Sequence, residues 1–208
     1  MKKFILSIDQ GTTSSRVILY DSKFNKIDSV KKEFTQFFPK NGWVEHDALE
    51  IWKDVKFLIS KIIKKNKIKS SQILSIGVTN QRETTVLWNK KNGKPINKAI
   101  VWQDRRTSGL CDALKKKKLD KKIQKITGLI VDPYFSATKI KWILDNNLKA
   151  KKILKQNNLL FGTIDTWLLW NLTEKQSHLT DITNASRTML FDSKKEKWSK
   201  VLLELLNI

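Results

Sequence analysis

The stretch from Phe4 to Asp21, FILSIDQGTTSSRVILYD, constrains the fold more than any other part of this chain. Phe4, Leu6 and Ile8 alternate with Ile5 and Ser7, the pattern of a mostly buried β-strand. Val17-Ile18-Leu19-Tyr20 reads as a second strand. The residues between them, Asp9 to Arg16, are too polar for a core. Gly11 permits φ > 0 and close backbone approach, so the chain is expected to reverse here as a hairpin. Such a turn offers backbone N–H groups, the hydroxyls of Thr12, Thr13 and Ser14, and the Arg16 guanidinium, a set that suits phosphate oxygens. Asp9 ends the first strand, where a carboxylate can hold Mg²⁺ directly or through water. An ordinary polar hairpin uses the same residue types, and the residues alone leave both readings open. A P-loop is excluded: no GK[ST] is present and a strand, not a helix, follows.

This hairpin resembles the first phosphate-binding turn of the actin and sugar-kinase ATPases. Its spelling, DQGTTSSR, is similar to that of glycerol kinases, within the FGGY family of carbohydrate kinases.

Downstream, residues 26–30 and 32–37 read as two short strands of a meander, and Pro39 to Gly42 as a turn. Asp47 has the form of a helix N-cap, with Glu50 three residues on completing a capping box. Ile51, Trp52, Val55, Leu58, Ile59, Ile62 and Ile63 then make one apolar helical face ending near Lys65. His46 reads as a structural residue of the capping region. Ile73 to Thr79 is expected to be a buried strand, followed by Asn80-Gln81-Arg82-Glu83 and a strand over 84–88. Strand ends of α/β domains open into ligand crevices. An Arg donor beside a Glu acceptor there suits vicinal hydroxyls, although a simple ion pair uses the same two residues. Ala99 to Trp102 is a short strand, and Trp102 at its end fits either a core or a ligand surface. Helices are expected over 107–117, 121–127, 136–146, 149–156, 167–172 and 198–206, a strand over 159–164, and Asp165 as a helix cap. Early meander strands followed by strand–helix alternation indicate an α/β domain with a mixed sheet flanked by helices.

The single Cys111 excludes an intrachain disulfide, and no apolar run approaches membrane-spanning length. A cytoplasmic protein without membrane partners is expected.

NQRE resembles the glycerol-binding segment of glycerol kinases, and the similarity runs from Ile8 to Leu206, including the segment from Thr180 to Arg187, whose role the resemblance leaves unassigned. It implies a ribonuclease-H-like, actin-like ATPase fold and transfer of the γ-phosphoryl group of ATP to glycerol, giving sn-glycerol 3-phosphate. Thr12, Thr13, Ser14 and Arg16 would hold the nucleotide phosphates and Asp9 would serve Mg²⁺. Arg82, Glu83, Trp102 and Tyr134 would bind glycerol, all facing one crevice with the hairpin. Such kinases are more than twice as long as these 208 residues. The chain is therefore expected to be a truncated N-terminal domain, with the C-terminal domain absent and the catalytic base beyond Ile208. Negligible turnover alone is expected, with a complementing second half or a homo-oligomer as partner, and an uncovered sheet face. Two other readings compete: a degenerate, inactive fragment, and a basic nucleic-acid-binding protein.

The nucleic-acid reading rests on a formal charge of +21. Against it, only Arg16, Arg82, Arg105, Arg106 and Arg187 of the 41 basic residues are arginine, and sequence-specific readers of DNA depend on arginine forks. No specific nucleic-acid partner is expected. With lysine filling most positions that need only positive charge, the surviving arginines should mark places that need a planar fork of donors. Arg16→Lys and Arg82→Lys are expected to weaken ligand binding far more than Arg187→Lys.

Overall fold

The computed structural model describes residues 2–208. It divides into two compact units, one comprising the chain up to Gln36 together with Asp47–Gln81, the other Phe37–His46 with Arg82–Ile208.

The first unit is built on the expected hairpin. Strands β1 (Phe4–Gln10) and β2 (Ser14–Asp21) pair antiparallel, with Asp9 opposite Arg16 and Gln10 opposite Ser15. Strand β3 (Lys26–Glu33) adds to β2 and runs past the expected end at Val30, while the second strand expected over 32–37 keeps only its last two residues as a separate strand. The β3 ladder continues through Lys31, whose side chain points outward and so tolerates the charge. Two two-residue strands follow, β4 (Gln36–Phe37) at the end of this stretch and β5 (Glu45–His46), which belongs to the second unit. Between them Gly42 has φ 72° and closes the turn expected at Pro39 to Gly42.

Helix α1 (Ala48–Lys65) begins at Asp47, whose carboxylate accepts from the N–H groups of Leu49 and Glu50. Ile51, Val55, Leu58 and Ile62 are fully buried, as are Leu6, Ile8, Val17 and Leu19 on the facing strands. The 3.6-residue period of the helix and the two-residue period of the strands thus supply the two halves of one core. Asp54 is buried on the same helix and is held by an ion pair from Lys32. Strand β6 (Ile73–Asn80) runs parallel to β1, giving the mixed sheet order β3-β2-β1-β6. The expectation of a buried strand fails here. β6 is the sheet edge, and Leu74 and Ile76 are 56% and 42% exposed. Its apolar run reflects surface that the described residues leave uncovered.

In the second unit β7 (Val86–Asn89) pairs antiparallel with β9 (Leu159–Gly162), and β8 (Ala99–Ile100) pairs with β5. Helices α2 (Ser108–Lys116), α3 (Asp120–Thr127), α4 (Ser136–Asn146), α5 (Leu148–Lys155), α6 (Ile164–Leu172) and the short α7 (Ile182–Ala185) surround them. The hairpin β10 (Phe191–Asp192) and β11 (Lys197–Trp198) leads into α8 (Lys200–Leu206). Ile100, Ile123, Ile143, Met189 and Leu202 share one core. Trp88 on β7 is fully buried and meets Trp167 edge-to-face at 5.3 Å. The cap of α6 is Thr163, and Asp165 lies in the first helical turn. There it accepts from the Thr163 and Thr180 hydroxyls, a tie between segments in place of the expected cap. Among the described residues no helix is long and apolar enough to cross a membrane.

Gly162 shows how tightly this core is filled. A Cβ at that position would lie 2.7 Å from Thr166 Cβ and 2.9 Å from the Trp88 ring. Overpacking of this kind costs about 1–3 kcal/mol. Gly162→Ala is expected to lower the thermal unfolding midpoint by about 3–10 °C; an unchanged circular-dichroism melt would refute the packing described.

Candidate functional site

Two groups of residues carry the chemistry anticipated from the sequence, one in each unit. In the first, the turn between β1 and β2 is closed by Gly11 N–H donating to the Ser14 carbonyl at 2.9 Å. Gly11 does not adopt the positive φ expected of it. Its lack of a side chain matters through proximity: a Cβ would stand 3.4 Å from the Ser14 carbonyl oxygen. The turn's carbonyls are bound internally. Gly11 O accepts from the side-chain amides of Gln10 (2.9 Å) and Gln81 (3.2 Å), Thr12 O from Gln36 (3.2 Å), and Thr13 O from Phe34 N–H (3.4 Å). With the turn's carbonyls engaged in this way, a ligand there would meet mainly N–H and hydroxyl groups, which is the polarity an anion requires.

Thr13 and Arg16 are exposed, while Thr12, Ser14 and Asp9 are half-buried. Neither the Arg16 guanidinium nor the Asp9 carboxylate bonds to another described residue, although their Cα positions are cross-strand neighbours. No group of three or more acidic, histidine or cysteine side chains suited to a metal exists among the described residues. Asp9 could contribute one ligand to Mg²⁺, the arrangement in which phosphates and water complete the shell.

In the second unit the chain turns sharply after β6, with Thr84 N–H donating to Arg82 O at 2.8 Å. Glu83 occupies the left-handed region at φ 63° and is buried. Its carbonyl accepts from the Ser136 hydroxyl at 2.9 Å and from the Thr85 hydroxyl at 3.1 Å. Its carboxylate accepts from Arg187 Nε at 2.6 Å. The Trp102 and Tyr134 rings stand 5.3 Å apart, and the Arg187 guanidinium lies 5.5 Å from the Tyr134 ring and 4.9 Å from that of Phe135. Glu83, Trp102 and Tyr134 are therefore brought together through shared neighbours. Arg82 is exposed and bonds to no other described side chain. The second unit begins its long segment at Arg82, so the unit boundary falls inside the NQRE motif.

Two residues of this cluster escaped the sequence reading. Arg187 is delivered by the turn after α7, whose start is capped by Asp181. Lys139, on α4, is fully buried, and its Nζ donates to the carbonyls of Pro133 (2.5 Å), Tyr134 (2.6 Å) and Phe135 (3.3 Å). It ties down the segment that carries Tyr134. Burial pushes its ammonium down to about 7, against the opposing pull of Asp104 and Glu83. A lysine inside an otherwise apolar helical face was the available signal. The other two arginines are structural. Arg106 forks onto Asp104, bonds Glu45 and lies 3.8 Å from the Trp43 ring, while Arg105 pairs with Asp132 at the surface. His46 is fully buried, and burial holds its imidazole down at about 4, in keeping with a structural role.

The first unit is thus a mixed sheet backed by a helix, with a polar hairpin at one strand end. Residues 4–208 match the N-terminal domain of the FGGY family of carbohydrate kinases, and the chain belongs to that family. Within it, the chain is similar to glycerol kinases: it is 54% identical to that of Treponema denticola and 55% identical to that of Clostridium botulinum, each over 208 residues. All of this chain is covered in both alignments, against 42% of each relative. The crystal structure of Plasmodium falciparum glycerol kinase with ADP superimposes with a TM-score of 0.93 at 40% identity, over 99% of this chain and 41% of that one. Gluconate kinase from Lactobacillus acidophilus shares the fold, with a TM-score of 0.87 at 24% identity.

The buried Lys139 makes a signed prediction. Its proton is bound in the unfolded chain up to about 10.5 but only to about 7 in the fold, so unfolding takes up a proton between those values. Stability should therefore rise as pH increases from 7 to 9, by up to about 2–3 kcal/mol. Lys139→Met should flatten that part of a denaturant-midpoint profile; parallel profiles for the two proteins would show that the fold leaves this amine's ionisation unchanged.

Proposed function

We propose that this chain is the part of an ATP-dependent glycerol kinase that grips glycerol and the nucleotide phosphates. In the reaction, a terminal hydroxyl oxygen of glycerol forms a bond to the γ-phosphorus as the bond to the β–γ bridging oxygen breaks. ADP leaves, and sn-glycerol 3-phosphate is the product. Catalysis of this type consists mainly of positioning and charge neutralisation. The observation that carries the reading is Glu83, a buried carboxylate linked through Arg187 to the Trp102–Tyr134 pair, with Arg82, whose side chain bonds to no other described side chain, next to it in sequence.

Each hydroxyl of glycerol both donates and accepts. Glu83 would accept from a pair of hydroxyls and Arg82 would donate to them. Trp102 would lie against the C–H face of the carbon chain, with the Tyr134 hydroxyl closing the polar side. Thr12, Thr13, Ser14 and Arg16 would hold the phosphates, where the fixed charge of Arg16 offsets charge on the transferring group. Mg²⁺, held by Asp9 directly or through water, would supply further neutralisation of the phosphate oxygens. The general base is assigned to no described residue, and the chain spans 42% of the length of the glycerol kinases it matches.

The test uses the 208-residue chain. Saturation-transfer NMR with glycerol should give a saturable signal that Glu83→Gln or Arg82→Ala weakens by about tenfold or more. Arg16→Ala should leave that signal unchanged and weaken binding of ATP or ADP. A coupled assay should show negligible phosphorylation by the chain alone, and turnover when the remaining part of the T. denticola glycerol kinase is supplied. A glycerol signal indifferent to both Arg82 and Glu83 would overturn the assignment, and wild-type-like turnover from the chain alone would overturn the expectation of negligible activity.

A further inference from the structure

We infer that Arg187 is a positioning residue for the polyol site: it fixes the Glu83 carboxylate in its binding pose through the Nε–H bond and braces Tyr134 through the plane of its guanidinium. The inference rests on the glycerol reading above and adds to it a residue that the sequence had ranked as the least consequential of the binding arginines.

Glu83 is held at three points. Ser136 and Thr85 fix its carbonyl, and Arg187 Nε fixes one carboxylate oxygen at 2.6 Å. The pair is lopsided in exposure, with the Glu83 side chain 4% and the Arg187 side chain 33% exposed. A carboxylate removed from water to this extent needs a charged donor, and with one oxygen engaged by Arg187 the second remains for a substrate hydroxyl. The guanidinium also lies within reach of the Tyr134 and Phe135 rings, at 5.5 and 4.9 Å. One group thus sets the pose of both an acceptor and an aromatic wall of the site. Lysine reproduces the charge, but it has neither the Nε–H nor the plane. The segment from Thr180 to Arg187 thereby acquires a role: Asp181 caps the short helix that carries Arg187 back to a residue 104 positions earlier.

Two measurements on the full chain test this. The first is independent of ligand. In ¹⁵N spectra, with five arginines to resolve, the Arg187 Nε–H should be shifted downfield and protected from exchange. Glu83→Gln should abolish both features. A rapidly exchanging Arg187 Nε–H at the position of the exposed arginines would overturn the proposal.

The second is glycerol binding by saturation-transfer NMR. Arg187→Lys and Arg187→Met should each weaken it by about tenfold or more, equivalent to about 1.4 kcal/mol. In a Glu83→Gln background the same substitutions should add little, because both act through one carboxylate. Losses that multiply in the double variant, with matching falls in unfolding midpoint, would mark Arg187 as a structural residue and sink the positioning role. If the wild-type chain gives no glycerol signal, the glycerol reading falls, and the Nε–H measurement still decides the contact.

Discussion

The corner at Glu83 asks the chain to do two unfavourable things at once. A non-glycine residue at φ 63° costs of order 1 kcal/mol or more, and an ionised carboxylate withdrawn from water costs more unless it is paired. Both costs are met locally by the Ser136 and Thr85 hydroxyls on the carbonyl and the Arg187 guanidinium on the carboxylate. Those partners come from the start of α4, from the residue before β7 and from the turn after α7. The packing of the second unit is what delivers them. Strain of this kind persists only where the surroundings over-determine it, and it concentrates where a side chain must point somewhere specific.

Much of this architecture was legible in the chain because it is local. The two-residue period of β1, the 3.6-residue period of α1, the Asp47 cap and the polar hairpin between β1 and β2 are each written in fewer than twenty consecutive residues, and helix α4 falls at Ser136–Asn146 as read. The misreadings have a common cause. β6 has the composition of a buried strand, yet Leu74 and Ile76 lie in water, because composition reports what a strand tolerates and not which elements cover it. Asp165 looked like a cap by its place before a helix, but its carboxylate is used to tie Thr163 to Thr180. The Arg187–Glu83 contact spans 104 positions, half the length of the chain, and no local pattern encodes such a pairing.

The distribution of arginine sharpens this point. A chain that uses lysine nearly everywhere retains arginine at five positions. Two of them, Arg16 and Arg82, are exposed and their guanidinium groups bond to no other described side chain, as the proposed contacts to phosphate and polyol require. Arg106 and Arg187 use the planar fork inside the protein instead, on carboxylates and aromatic rings. Arg106 fits the expectation that arginine marks fork-requiring positions, since it bonds Asp104 through two nitrogens, whereas Arg105 makes one surface ion pair through a single nitrogen. A ranking of those positions for ligand binding has to include inward-turned arginines as well, since Arg187 holds the carboxylate proposed to meet the substrate.

Lys139 illustrates the complementary case, where a flexible amine does what a fork cannot. Three carbonyls converge on its Nζ at the end of the Pro133–Phe135 segment, and a rigid guanidinium would not fit a single point between them. Burial favours the neutral amine, which still retains two N–H donors for those carbonyls, so the segment can stay tied while the charge is lost. Tyr134 is thus held through its backbone by lysine and through its ring by arginine. A glycerol molecule is small and makes few contacts, so little binding energy is available to order a loose loop. A site for such a ligand would have to be rigid before the ligand arrives, and the buried Lys139 and half-buried Arg187 supply that rigidity to a segment that lacks regular secondary structure.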